Sequence, residues 1–216
     1  MNRPADGAVS DTEVLHQRAI DVVLRHGVVT REAVLSEAVR GGFAAVYPVL
    51  CTLEDRGDVR RGYFVDGLGA AQFAAPEAVD RLREPSEHSS EPVAVSAVDP
   101  AQPFGAALPW PHHRGRATRS PSAVVVISGG RAVVWFDRRS RHLIRFDREA
   151  PVAEWLGCLT AAMRTGRTSD VEIKRHDGGA AGEFEADFRA ELLSAGFVDA
   201  YKSMRWRPDR SVRGVQ

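Results

Sequence analysis

The chain has 216 residues, enough for one or two domains, and its 44% apolar and 27% charged residues are ordinary globular values. No run approaches the ~18 apolar residues that cross a bilayer, the first residues lack the apolar stretch of a secretory signal, and two distant cysteines, Cys51 and Cys158, suit a reducing cytoplasm rather than a disulfide scaffold. The net charge of zero is segregated, with −6 over residues 1–100, +7 over 101–148, −5 over 149–199 and +4 over 200–216, and two basic blocks suit a polyanionic partner.

Residues 1–11 are small and polar and read as a disordered leader. From 12 to 26 apolar residues at Leu15, Ala19, Val22 and Val23 keep helical spacing, and Gly27 stops the helix. Val28-Val29 is a short extended bridge. Thr30 caps a second helix with Val34, Leu35 and Ala38 as its buried face. A third helix spans about 43–56 with a Val46, Leu50, Leu53 stripe, and Pro48 inside it predicts a kink or a late start. Two strands, 58–65 and 70–75, flank a GLG turn, and Pro76 opens a short helix to Arg83. Three helices and a two-stranded ribbon over 12–84 are the winged-helix plan. The third helix has no Lys, Arg, Asn or Gln from Phe43 to Glu54, so it lacks the long donors that read base edges. Such a unit either touches phosphate through its wing or scaffolds a partner.

Residues 85–98 are rich in Pro, Ser and Glu and read as a linker. A second unit covers 99–210, followed by a tail, 211–216. It opens with the proline-rich DPAQPFGAALPWP (99–111), whose Phe104 and Trp110 are expected in a core, and the basic loop HHRGRATRSPS (112–122). Strands at 123–128, 131–136 and 142–146 form an antiparallel meander with Gly129-Gly130 at its first turn. A helix from Pro151 to about 165, a strand at 170–175, a helix carrying Phe184, Phe188 and Leu192, and a basic strand at 200–207 follow. The fold class is α+β: a winged helix, then a small antiparallel β-barrel-like domain with two helices.

HGVVTREAV (26–34), GGFAAVYPVL (41–50), RRGYFVDGLGAAQFA (60–74) and DPAQPFGAALPWP (99–111) resemble the C-terminal region of large helicase-related (Lhr) superfamily 2 DNA helicases. The resemblance runs from about Leu15 to Arg207. It implies a winged helix followed by a β-barrel module, an arrangement similar to winged-helix DNA glycosylases of the AlkZ type. These residues contain neither a GxxxxGK[ST] loop to cradle phosphate nor a DExH box to hold Mg²⁺, so no ATPase or helicase activity of their own is expected. The glycosylases' paired-glutamine motif is missing too, since Gln17, Gln72, Gln102 and Gln216 stand apart.

The nucleic-acid-binding candidates are Arg56, Arg60 and Arg61 at the wing, Arg114, Arg116 and Arg119 in the basic loop, Arg138, Arg139 and Arg141 in a turn, and Lys202, Arg205 and Arg207 in the last strand. Arg131, Arg145 and Arg148 complete the central block. Arginine is a weak signal by number alone, because 27 of the 29 basic residues are arginine, as GC-rich coding produces. Trp135 and Phe136 interleave with the block, face opposite ways on a strand, and leave at most one to stack on a base. Trp206 sits within the basic tail. Glycosylase chemistry needs a carboxylate among phosphate-holding cations. Asp99, Asp137, Asp147 and Asp209 have that location, with Asp99 and Asp209 kept as catalytic candidates because Asp137 and Asp147 read as turn residues. His112-His113 lacks further ligands at metal spacing, so no metal or cofactor is expected. The favoured reading is a DNA-binding accessory region of low sequence selectivity. It would act on single-stranded or structured DNA, with a helicase motor in trans and no membrane partner. One alternative is a glycosylase-like enzyme acting on uracil or damaged bases in single-stranded DNA. The other is a protein-interaction or homo-oligomerisation module, which the acidic first half suits.

Overall fold

A computed structural model describes residues 10–84, 91–163 and 170–207. Two compact units divide them: 10–84 with 106–108, and 91–105 with 109–207. No helix among the described residues is long and apolar enough to cross a membrane.

In the first unit α1 (Asp11–His26) starts one residue before the expected position. Ser10 and Glu13 form a reciprocal capping box that satisfies the free N–H groups of the first turn. β1 (Val28–Val29) follows, then α2 (Arg31–Ser36), capped by the Thr30 hydroxyl, which accepts from the Ala33 N–H at 3.0 Å. Its buried face is Ala33 and Val34. Leu35, expected inside, is 74% exposed, because the helix ends after six residues and turns only one narrow face inward. α3 (Gly42–Asp55) carries Pro48 in its interior, six residues after its start, so the proline does not mark a late beginning. β2 (Arg60–Gly62) and β3 (Gln72–Ala74) are the wing strands, shorter than expected, and β1 adds a third strand in the order β1-β3-β2. α4 (Pro76–Arg83) closes the unit. Val22, Val34, Val46, Leu50 and Phe73 form a core shared by the helices and the sheet.

The buried Gln72 holds the wing loop. Its Oε1 accepts from the N–H groups of Phe64 and Val65, and its Nε2 donates to the carbonyls of Val65 and Leu68. One side chain thus replaces the β-ladder where the chain leaves the strand.

The second unit is a five-stranded sheet beside a three-stranded one. β4 (Val93–Ser96) pairs with β5 (Ala123–Ser128), so part of the expected linker is an edge strand. β5, β6 (Arg131–Asp137) and β7 (His142–Arg145) form the expected meander. α5 (Val152–Met163) follows, then β8 (Val171–Ile173) and β9 (Arg175–His176). β9 returns parallel to β7, giving the order β4-β5-β6-β7-β9. α6 (Ala186–Ser194), β10 (Val198–Ala200) and β11 (Ser203–Trp206) complete the unit, with a second sheet ordered β10-β11-β8. The domain expected to be barrel-like is mixed α+β, and none of its sheets closes into a barrel among the described residues. One break lies between β8 and β9, where the chain leaves one sheet for the other. Phe136, Leu143, Trp155, Leu159, Ile173 and Leu192 are prominent in the core. Phe184, expected on the last helix, precedes it and is half-buried.

The 99–111 segment is fixed by polar bonds rather than a ladder. Buried Gln102 donates to the carbonyls of Ala97 and Phe104 and accepts from the Phe104 N–H. Trp110 is half-buried and stacks between Phe104 and Phe146 at centroid distances of 6.4 and 5.7 Å. Gly105, at φ 74°, leaves the space that the indole fills.

Candidate nucleic-acid interface

The structure joins two basic segments that are far apart in sequence. Arg138 and Arg141 come from the β6–β7 turn and Arg205 from β11, and with Phe136, Asp170 and Glu172 they line a cleft of about 390 Å³. Register explains the meeting. Arg205 stands opposite Glu172 in the β11–β8 pair, and Glu172 reaches Arg141 as well. The carboxylate of Glu172 takes Arg141 at 2.8 Å, Arg205 at 3.2 Å and the Ser203 hydroxyl at 3.0 Å. Burial alone would raise its pKa, but the hydroxyl and the two guanidinium groups outweigh burial and hold it below the usual value. Arg207 adds a looser pair with Asp170 at 3.7 Å. Arg138 makes only long bonds to the carbonyls of Ser122 and Pro121, at 3.3 and 3.4 Å, and Arg139 is exposed. Neither has a carboxylate partner among the described residues, so this rim presents uncompensated positive charge. Arg141 and Lys202, at two hairpin turns, have φ of 55° and 52°. Glycine would take that left-handed conformation more cheaply, yet a long cation stands at each.

Other candidates have structural partners. Arg61 lies against α3, donating to Glu54, the Cys51 sulfur and the Tyr47 hydroxyl, with its guanidinium 5.0 Å from the Phe73 ring centroid. Arg56 pairs with Asp58 at 3.1 Å, and Arg60 is exposed without an ion pair among the described residues. Arg119 clamps the carbonyls of Asp99, Gln102 and Phe104 and so fixes the 99–104 segment. Arg145 is 6% exposed, pairs with Glu191 at 3.1 Å and lies over the Phe188 ring. Arg148 holds Asp177 and Glu185. Arg114, Arg116 and Arg131 are exposed.

Neither Trp135 nor Phe136 can stack on a base. Both are buried, the first because its indole N–H donates to the Thr118 carbonyl, the second because it faces the core. Trp206 is half-buried against the same core. Asp99 closes a turn by accepting from the Ala101 N–H at 2.8 Å, and Asp147 does the same for Glu149 and Ala150. Buried Asp137 accepts from the Ser140 N–H and from the hydroxyls of Ser122 and Ser140. These bonds overcome burial and keep its carboxyl below the usual range. Asp209, the 211–216 tail, most of the 1–11 leader and the first six positions of the 85–98 linker lie outside the described residues. His113 serves its own loop, donating to the Pro111 carbonyl and accepting from the Ala117 N–H. Among the described residues no three metal-capable side chains cluster.

Reading along the sequence missed Glu172 and Asp177. The alternation of 170–175 signalled a strand, but nothing local to Glu172 shows that two arginines 31 and 33 positions away converge on it.

Residues 8–94 match the family model described as large helicase-related protein, winged-helix domain. Over 208 residues the chain is 38% identical to a protein of Mycolicibacterium smegmatis named Lhr helicase/probable uracil glycosylase, covering 89% of this chain and 14% of that one. Over 165 residues it is 36% identical to an Escherichia coli protein named Lhr helicase/uracil glycosylase, covering 72% of this chain and 11% of that one. The chain therefore spans a small fraction of the length of either relative.

Proposed function

Because the first unit belongs to the winged-helix domains of the large helicase-related family, we propose that the chain is a nucleic-acid-binding accessory region of an Lhr-type helicase or repair factor. The observation that carries this reading is the convergence of Arg138, Arg141 and Arg205 around one cleft of the second unit, with Arg139 exposed on the same turn. Guanidinium groups at such a rim bind backbone phosphate without regard to sequence and release counterions. Glu172 neutralises part of that charge and fixes Arg141 and Arg205 in place, which favours a shaped groove over a diffuse basic surface. Lys202 and Arg207 add exposed cations at the two ends of the strand that carries Arg205. The motor would act from elsewhere in a longer protein or in trans.

The test is binding of the purified chain to single-stranded and duplex DNA at several salt concentrations. A steep loss of affinity with salt, made shallower by replacing Arg138, Arg139 and Arg141 with alanine, is expected. Salt-independent binding, or none, would favour the interaction-module reading.

A second reading is favoured by the names of both relatives: removal of uracil from DNA, with water taking the place of the base on the sugar carbon and the base leaving with a proton. Only this reading produces alkali-labile abasic sites, so heating the same binding reactions in alkali separates the two.

A further inference from the structure

The second unit contains another cleft, of about 570 Å³, that lies outside the basic one and collects a different chemistry. Its floor is His176 and Asp177. Phe184 lies to one side, and the bare backbone of Gly178, Gly179 and Gly182 forms much of the rest. Arg114 stands exposed beside it.

His176 is 5% exposed and its Nε2 has no hydrogen-bond partner. The Asp177 carboxylate stands 3.5 Å away, beyond a normal N–H···O bond. A buried ring nitrogen without a partner is costly, and it stands where a ligand atom or a water would satisfy it. The ring is held by Phe188, whose centroid is 4.1 Å away, with Phe184 in a nearly parallel plane beside it. Asp177 is fixed from three directions: the Arg145 N–H and the Arg148 guanidinium bind its carboxylate, and the His142 Nε2–H donates to its carbonyl. Gly115 packs so closely on that carbonyl that a Cβ would come within 2.7 Å of it.

The charge balance selects the ligand. Arg114 and Arg148 face Asp177, Glu183 and Glu185, and Arg148 already binds two of these carboxylates. Three carboxylates repel a phosphate inside the cleft, while the two arginines leave no strong site for a cation. What remains is a half-buried aromatic face, exposed peptide edges, one hydrogen-bonding ring nitrogen and one carboxylate. That set fits a neutral planar molecule with donors and acceptors on its rim. We propose that this cleft is a binding site for a single nucleobase turned out of a DNA strand, with His176 and Asp177 meeting its polar edge, Phe184 its face, and Arg114 the phosphate beside it. The site is built next to the basic cleft, since His142 and Arg141 are chain neighbours and bind Asp177 and Glu172 respectively. The proposal rests on the nucleic-acid reading. Bases held by a protein outside the helix are met by stacking and by hydrogen bonds to their edges, as this cleft provides.

The experiment is NMR of the full chain with ¹³C-labelled histidine, the His176 signal being assigned with His176→Gln. Uracil, cytosine and inorganic phosphate are added separately. A saturable movement of the His176 signal with a free base, none with phosphate, and at least a tenfold weaker response in Phe184→Ala is expected. No movement with any base, or equal movement with phosphate, overturns the site. A Phe184→Ala chain with unchanged thermal melting shows that the loss is not unfolding. The salt dependence of DNA binding is measured on the same samples. If it is absent while His176 still answers to base, the nucleic-acid reading fails and the proposal of a base presented by a DNA strand is overturned with it, the cleft being a site for the free base. If it is present while His176 is silent, the base site alone fails.

Discussion

Side chains of the same type have opposite tasks in this chain, and their partners decide which. Arg60 and Arg61 are neighbours on the wing, yet Arg61 is folded onto α3 while Arg60 faces solvent. Arg61→Ala is expected to lower the melting temperature and leave the salt dependence of DNA binding unchanged, with Arg60→Ala showing the reverse. Gln72 makes four hydrogen bonds from a fully buried position. Gln72→Leu takes the partner from four half-buried backbone groups that water can partly reach, so urea unfolding should show a loss of roughly 2–5 kcal/mol, less than four times the ~1–3 kcal/mol of a fully buried group. His176 carries a signature in acid. Burial pushes its pKa below the ordinary value, opposed by Asp177 and Glu185 and assisted by Arg145 and Arg148. A histidine kept neutral in the fold contributes stability that is complete above its unfolded pKa of about 6.5 and fades as the pH falls below it. His176→Gln should flatten the pH dependence of stability in that window.

Elements here are shaped by what each must cover. α3 tolerates Pro48 because the strip Val46, Leu50 and Leu53 remains buried against α1 and the wing. Leu50→Ala should cost about 2–5 kcal/mol, the range for deleting a buried leucine, read by chemical denaturation. The turns of the second unit show the converse priority. Lys202 occupies a left-handed conformation at the β10–β11 turn. Lys202→Gly is expected to stabilise the chain by roughly 0.5–1 kcal/mol while weakening DNA binding. A loss of stability with unchanged binding would make Lys202 a packing residue instead.

At the scale of the whole molecule the net charge of zero is uninformative, because the charge is not spread evenly. If Arg138, Arg139 and Arg141 each meet a phosphate, replacing all three should reduce the slope of log affinity against log salt. The expected reduction is about 2–3, from the ~0.7–0.9 per contact that counterion release gives. In the acidic first unit, Arg60 of the wing adds at most one such contact in this reading, and Arg56→Ala, at a paired surface site, serves as the control.

The sequence by itself determined the order of the helices and of most strands, the winged-helix plan, the resemblance to large helicase-related proteins and the basic character of two segments. Each is written in local spacing or in a run of residue types, such as the Leu15 to Val23 stripe or the basic run of 200–207. Tertiary structure alone decided that Leu35 faces out, that Trp135 and Phe136 both face in, and that half-buried Arg119 and buried Arg145 are held by partners rather than offered to phosphate. It also decided that the sheets stay open, since β9 joins β7 in parallel and leaves β8 to the other sheet. The basic cleft and the His176–Asp177 floor depend on residues tens of positions apart. Local periodicity carries no record of such pairings, because hydrogen bonding across strands and the exclusion of water from a core are settled only when distant segments meet.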